Sequence, residues 1–391
     1  MPAFFFKEPI MKRFYAVVIL VLFTFTIPAI AQIKVISRQG KGALLDVDGS
    51  RVLLVRGSPY EMGFQQGKLL AGDVNDLTKI VLTSASLADA ADGKSLISST
   101  LSQALDRTAR FVPARYEEEM KGLAEGSGVA LQSIRLANIF PEQFHCSGFA
   151  VFGKATKDNR LYHGRVLDYM TGIGLQHRAI VIVAIPDGRN AFINVSYAGF
   201  IGSVTGMNEK LVAIGEMGGG GDKLWDGMPM AYLVRKALEE ANSLGEAVKI
   251  FRTTPRTCEY FYVISDGKIP SAAGLACLPG SFEVIEPNQY HRMLDTPVCD
   301  AVILSKGDRY KLLTERIKQK FGTIDRQAAI DLMLRPVAMQ SNLHNALFAP
   351  QSLELWVANA ADSSEHNYQA CYQKYFHYDM KAILDFAQKL N

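Results

Sequence analysis

Apolar and polar positions along this chain follow two different periods, and the change falls near residue 145. Before it, two short strand-like runs, Ile33-Lys34-Val35-Ile36 and Val52-Leu53-Leu54-Val55-Arg56, lead into helical patterning. Ser58-Pro59-Tyr60-Glu61 reads as a helix start, with Ser58 as N-cap, Pro59 at the first helical position and Glu61 at the third, a capping box. Gly63 and Gly67 are four apart and share one face of that helix. Glycine costs helix stability, so the pair marks close packing of another element. Helical spacing continues over 77–82, 101–111, 116–124 and 131–138, broken at Gly126-Ser127-Gly128. The first third is therefore α-rich.

After residue 145 the period shortens to two. The runs 144–151 and 162–169 read as a hairpin around a turn-like stretch, 153–160, with Asp158-Asn159 at its tip. Further strands are expected at 180–185, 191–196, 211–215, 260–264, 282–285, 345–348 and 353–358. Helices are expected at 230–242, 245–251, 309–320 and 327–334. In the first of these, Ala231, Val234, Leu238 and Ala241 share a face. Strands, then helices, then strands predict an α+β architecture with a largely antiparallel sheet. No internal repeat is present, and the switch near 145 is the one candidate boundary.

Composition narrows the class. The chain has 391 residues, 48% of them hydrophobic and 21% charged, which is the balance of one large or two moderate globular domains. A net charge of +3 without a basic run gives no reason to expect a nucleic-acid partner. Met11-Lys12-Arg13, an apolar run from Phe14 to Pro28, and Ala29-Ile30-Ala31-Gln32 have the three parts of a signal peptide. Residues 1–31 are read as that signal, starting at Met11 and cut between Ala31 and Gln32. The mature chain is then exported, to a periplasm or the extracellular space. The competing reading is a membrane anchor, for which the apolar run is marginally long enough.

The five cysteines, at 146, 258, 277, 299 and 371, are odd in number and widely spaced, with no Cys-x-x-Cys or Cys/His cluster. Gly218-Gly219-Gly220-Gly221 lacks the Lys-Ser/Thr that completes a phosphate-binding loop. No metal or cofactor is expected.

The hairpin carries the candidate chemistry. It returns Arg165 and Asp168 to the neighbourhood of Cys146, and a thiol beside a guanidinium and a carboxylate is a nucleophile with its electrostatics supplied. Each residue has a plainer reading. Cys146 could be a buried structural cysteine. Arg165 and Asp168 could be a surface pair of little energetic weight. Asn208, in Gly206-Met207-Asn208-Glu209, fits an ordinary turn residue. Arg309 fits a helix start paired with a surface carboxylate. His145, His163 and His344 lack a Ser/His/Asp context and read as local hydrogen-bonding residues.

In order along the chain, several segments resemble the acyl-coenzyme A:6-aminopenicillanic acid acyltransferase (peptidase C45-like) family of N-terminal nucleophile (Ntn) hydrolases. They are 57–67, Cys146-Ser147-Gly148-Phe149-Ala150-Val151, Tyr162-His163-Gly164-Arg165, Leu167-Asp168-Tyr169, 206–210, Gly227-Met228-Pro229 with Arg235, Asp308-Arg309-Tyr310, and Leu343-His344-Asn345 with 355–358. The resemblance spans roughly residues 50–360 and extends to choloylglycine hydrolases and phospholipase B-like proteins. It implies a four-layer αββα sandwich preceded by an α-rich prosegment, 32–145, with 146–391 as the catalytic domain. It also implies self-cleavage between His145 and Cys146, which leaves Cys146 as a new N-terminus whose α-amine serves as base. Residues 32–145 would stay bound as a small subunit.

By the same resemblance, Asp168 would orient the amine and Arg165 would favour the thiolate. Asn208 would donate to an oxyanion, and Arg309 would be a second structural or catalytic arginine. One departure stands out. Where relatives carry an oxyanion-hole Asn, this chain has Leu294-Asp295-Thr296-Pro297, and an ionised carboxylate only accepts hydrogen bonds.

Three functions follow as expectations. The first is a hydrolase or acyltransferase acting on a small-molecule acyl amide outside peptides. The second is a phospholipase B-like enzyme acting on a lipid-like ester, and the third a non-catalytic exported binding protein of the same fold.

Overall fold

A computed structural model describes residues 32–92, 96–139, 145–219, 224–294 and 296–390. The expected signal peptide, Phe144, Gly220, Gly221 and Asp295 lie outside the described residues, as does the side chain of His145.

The chain opens with a meander of three strands, β1 (Ile33–Gln39), β2 (Gly42–Val47) and β3 (Ser50–Gly57). Asp48 and Gly49 both take positive φ (51° and 88°), which makes the two-residue link between β2 and β3 a turn of the type that matches strand twist. Four helices follow β3 closely: α1 (Pro59–Leu69), α2 (Ala71–Asp92), α3 (Leu96–Thr108) and α4 (Ala114–Ser127), with α5 (Leu131–Ile139) after them. The capping box forms as expected: the Ser58 hydroxyl accepts from the Glu61 N–H, and the Glu61 carboxylate accepts from the Ser58 N–H.

The glycine pair does mark close packing. A Cβ on Gly63 would stand 1.9 Å from the Glu119 main-chain oxygen, and one on Gly122 would stand 2.1 Å from that of Tyr60. Backbones of α1 and α4 touch there, and no side chain fits between them.

The remainder runs β4 (His145–Gly153), β5 (Asn159–Asp168), β6 (Ala179–Pro186), β7 (Phe192–Tyr197), β8 (Thr205–Asn208) and β9 (Val212–Gly218). Next come α6 (Met230–Glu240), α7 (Leu244–Thr253), β10 (Tyr260–Asp266), β11 (Ser271–Cys277), β12 (Phe282–Ile285) and β13 (Ala301–Leu304). The chain ends with α8 (Asp308–Gln319), α9 (Arg326–Leu332), β14 (Asn342–Ala349), β15 (Glu354–Asn359), β16 (Phe376–Asp379) and α10 (Met380–Lys389).

These strands make two sheets. One has ten strands in the order β1-β2-β3-β6-β7-β8-β9-β10-β11-β12, and the other has six in the order β13-β4-β5-β14-β15-β16. Every pairing is antiparallel except β3 with β6, which is parallel. The N-terminal segment is thus more than a helical cap. Its three strands are an integral edge of the larger sheet, a feature that the helical patterning of 58–138 conceals.

The sheets face one another. Val181, Val183, Ile193 and Val195 of the larger sheet share a core with Ala346, Phe348, Leu355 and Val357 of the smaller, together with Met380 and Ile383 of α10. Burial of each of these side chains larger than alanine contributes about 1.5–3 kcal/mol. Helices α6 and α7 lie on the outer side of the larger sheet, over β8–β9 and β10–β11, while α8 and α9 lie on the smaller, against β13 and β5. The result is the expected four-layer αββα sandwich.

Candidate active site

Three cross-strand rows of the six-stranded sheet meet at its β4–β5 end. Cys146, Leu167 and His344 stand side by side across β4, β5 and β14. Gly148, Arg165 and Ala346 form the row two residues further in, beyond Ser147, Val166 and Asn345, and His145, Asp168 and Asn342 the row at the strand ends. Successive side chains alternate faces. Cys146 and Arg165 therefore point between the sheets, and Asp168 points to the other side, toward α8.

Arg165 is fully buried. Its Nε donates to the Glu216 main-chain oxygen at 3.1 Å, and a terminal nitrogen donates to the Glu216 carboxylate at 3.3 Å. Room for the guanidinium exists because β9 carries Gly215 there: a Cβ at that position would meet Arg165 Cγ at 2.8 Å. The remaining terminal nitrogen, Nη1, is buried without a hydrogen-bond partner. Glu216 was not singled out from the sequence. The signal for it is a lone charge in an otherwise apolar strand, Val212-Ala213-Ile214-Gly215-Glu216-Met217, and its partner stands 51 residues earlier.

Asp168 is held at both carboxylate oxygens. One accepts the Met339 N–H at 2.9 Å and the other accepts from Arg309 at 2.8 Å. Burial pushes its pKa up to about 6, against the pull of Met339, Arg309, Arg165 and Asn342. Cys146 is 5% exposed. Burial pushes its thiol up to about 12, with Arg165 the chief opposing influence and Glu216 and Asp168 adding to the rise. As it stands in the intact chain the thiol is protonated at neutral pH, and it needs a base to react. Ser147, one residue on and facing the other way, is tied to Ser305 at 2.7 Å between the hydroxyls.

Cys146 opens into one hollow, and its row neighbour Leu167 into another. An open cleft of about 790 Å³ is lined by Cys146, Met217, Phe261, Met293, Lys306 and Arg309, with Glu259 also on its wall. A second hollow, of about 480 Å³ and almost wholly apolar, lies toward the N-terminal helices and is lined by Leu77, Val81, Leu167, Tyr197, Phe200 and Leu343.

Of the residues expected from the sequence, Cys146, Arg165, Asp168 and Arg309 come together. Asn208 does not. It sits at the far end of β9, beside Val212, whereas Met217 and Gly218 line the cleft. Four residues of strand separate Val212 from Met217, roughly 17 Å end to end. Both Asn208 amide hydrogens go to main-chain oxygens, of Leu238 and Ala241, and its oxygen accepts from the N–H groups of Lys210 and Val212. It ties the β8–β9 turn to the end of α6, so the oxyanion role expected of it is corrected to a structural one.

His163 bonds Ser265 at 2.8 Å, and His344 lies between Tyr197 and Thr205. All five cysteines are free, and the described residues hold no cluster of His, Cys, Asp and Glu fit to bind a metal.

Parts of the chain resemble known proteins. Residues 155–273 match the family model described as acyl-coenzyme A:6-aminopenicillanic acid acyl-transferase. The chain is 24% identical to protein dcd1A of Dictyostelium discoideum over 358 residues, which is 81% of this chain and 80% of that protein. It is 26% identical to the N-acylethanolamine-hydrolyzing acid amidase of Mus musculus over 172 residues, 41% of this chain and 46% of the amidase. Apart from dcd1A, the matches to these first curated relatives span about half of each relative's length. Among solved structures, the Caenorhabditis elegans ortholog of that amidase superposes on 53% of this chain and 93% of its own, at 16% identity and a TM-score of 0.45. Over residues 155–273, then, this chain resembles the acyl-coenzyme A:6-aminopenicillanic acid acyl-transferase family.

Proposed function

We propose that this protein is an exported, self-processing cysteine amidohydrolase or acyltransferase that acts on carbon–nitrogen bonds of non-peptide acyl amides. The observation that carries the reading is the convergence of Cys146, the buried Arg165–Glu216 pair and the Asp168–Arg309 pair on the His145–Cys146 peptide bond. Relatives that act on acyl amides, such as N-acylethanolamine-hydrolyzing acid amidase and acid ceramidase, support the substrate class.

The electrostatics give the order of events. In the uncut chain the Cys146 sulfur attacks the His145 carbonyl carbon, the thiol proton passes to the amide nitrogen of the same residue, and the peptide C–N bond breaks to give a thioester and an amine. Water hydrolyses that thioester and leaves a free α-amine on Cys146. An α-amine has a pKa near neutrality and can take the proton that burial otherwise keeps on sulfur. Asp168 lies opposite the cut bond in the ladder, where its carboxylate can hold the ammonium form. The sulfur then attacks the substrate carbonyl, the amine leaves with the proton, and water or a second amine takes the acyl group.

The prosegment would stay in place after the cut. β3 remains hydrogen-bonded along β6. Arg235 of α6 grips Glu119 of α4 with two charge-assisted bonds of 2.9 and 2.6 Å, and Asn138 bonds the main chain at Gly199 and Ile201.

The test is fatty-acid release from N-acyl ethanolamines and N-acyl amino acids, set beside release from lysophospholipid. Turnover of the amides by the wild type and none by Cys146→Ala is the expected result. Preference for lysophospholipid would replace this reading with a lipid acyl hydrolase.

A further inference from the structure

Attack on a carbonyl places negative charge on its oxygen, and Asn208 is too far away and too fully bonded to receive it. A different donor stands nearer. Tyr197 ends β7 on the same face as Ile193 and Val195, the face packed on the smaller sheet. Its hydroxyl lies 3.0 Å from His344 Nδ1, and the two rings stack with centroids 6.2 Å apart and planes at 26°. His344 belongs to the same cross-strand row as Leu167 and Cys146, with Leu167 between the two; neighbours in such a row are about 4.5–5.5 Å apart at Cβ, so His344 and Cys146 are about 10 Å apart. Tyr197 and Leu167 also line the same apolar hollow. The tyrosine thus stands over the nucleophile's row, at the wall of that apolar hollow.

One of the two tautomers of His344, the one with its hydrogen on Nδ1, leaves the hydroxyl hydrogen available. His344 Nε2 lies 3.1 Å from Thr205 Oγ1. The ring is neutral, because burial and then the Arg165 charge push its pKa well below the usual histidine range. A neutral ring has one N–H. With the Thr205 hydroxyl donating to Nε2, that hydrogen sits on Nδ1 and donates to the Tyr197 oxygen. The Tyr197 O–H is then free to donate.

Resting on the amidohydrolase reading above, we infer that the Tyr197 hydroxyl is a hydrogen-bond donor to the oxygen of the acyl carbonyl attacked by Cys146, held in place by His344 and Thr205. As the S–C bond forms, the carbonyl π pair moves to oxygen and the Tyr197 O–H bond shortens its contact to it. As the tetrahedral carbon collapses, C=O re-forms, the C–N bond breaks, and the amine departs with the proton carried by the Cys146 α-amine. Tyr197 keeps its own hydrogen throughout. Thr205 and His344 are positioning residues.

Two reagents separate the role from simple packing. A fatty-acid p-nitrophenyl ester acylates a thiol through an oxyanion, whereas iodoacetamide alkylates it by displacement without one. Intact mass follows both reactions at Cys146. Tyr197→Phe should slow acylation by roughly 100-fold, the scale of one lost oxyanion donor, with alkylation unchanged within about twofold. Thr205→Val, which keeps the tyrosine, should slow acylation by a smaller factor. Equal acylation rates in wild type and Tyr197→Phe, or equal slowing of both reactions, overturn the assignment. A wild type that takes up the ester on Cys146 but releases no amine from any acyl amide overturns the amidohydrolase reading and leaves the tyrosine's role standing. A Cys146 inert to both reagents overturns both.

Discussion

Arg165 and Glu216 form an ion pair of 3.3 Å in which neither side chain has any exposure to solvent. A pair so placed contributes little net stability, because desolvation offsets the attraction, but removing one partner strands the other charge. Arg165→Ala should therefore destabilise the fold by about 3–5 kcal/mol in denaturant titration. The double variant Arg165→Met with Glu216→Gln should recover most of that loss yet remain inactive, because the guanidinium buried between the sheets, the chief influence favouring the thiolate, is gone. Recovery of activity with stability would show that the pair serves the fold alone.

The Asp168 carboxyl, raised to about 6, sets a pH dependence. Turnover should fall on the acid side of neutrality, as the Cys146 α-amine and then the Asp168 carboxylate take up protons. Stability moves the other way. Asp168 titrates higher in the folded chain than in the unfolded one, near 3.9, so between those values the folded state binds more proton. Lowering pH through that window stabilises the fold, and raising it through 6 removes the gain. Asp168→Asn should abolish this contribution, as read from melting curves at pH 4.5 and 7.5. A native-like slope in the variant would assign the effect to another group.

Gly63→Ala tests the contact of α1 with α4. The new methyl would meet main-chain oxygen at 1.9 Å, which no rotamer change can relieve, so the helices must separate. The expected loss is about 1–3 kcal/mol, in spite of alanine's better helix propensity. An unchanged melting temperature would mean the helices are less tightly apposed than described.

Arg235→Met tests what holds the two segments together. It leaves Glu119 and Glu239 buried without their shared cation. Fragments 32–145 and 146–391 of the wild type should co-elute in gel filtration without denaturant, and those of Arg235→Met should part at a lower urea concentration. Dissociation at the same urea concentration in both would place the hold elsewhere, on the β3–β6 pairing.

Local features were readable from the chain, and remote ones were not. The β4–β5 hairpin follows from alternation and a turn, so Cys146, Arg165 and Asp168 could be brought together from sequence. Capping at Ser58 and the glycine face of α1 are likewise local. Glu216 escaped because its partner lies on the facing sheet, and no periodicity records which strands of two sheets oppose. Tyr197 and His344 meet only across the same gap. β11 escaped for another reason: Ser271-Ala272-Ala273-Gly274-Leu275-Ala276-Cys277 is built of small residues without alternation, because both of its faces are buried. Asn208 shows the opposite error, in which a motif carried a role that its four local hydrogen bonds leave no capacity to perform.

Cleavage of the His145–Cys146 bond makes the base that Cys146 needs, and intact mass with N-terminal sequencing of purified wild type and Cys146→Ala tests it most directly. Wild type should separate under denaturing conditions into two pieces, the larger beginning at Cys146, and Cys146→Ala should remain a single uncut chain. A wild type that stays whole, or a Cys146→Ala chain cut at the same bond, would contradict it.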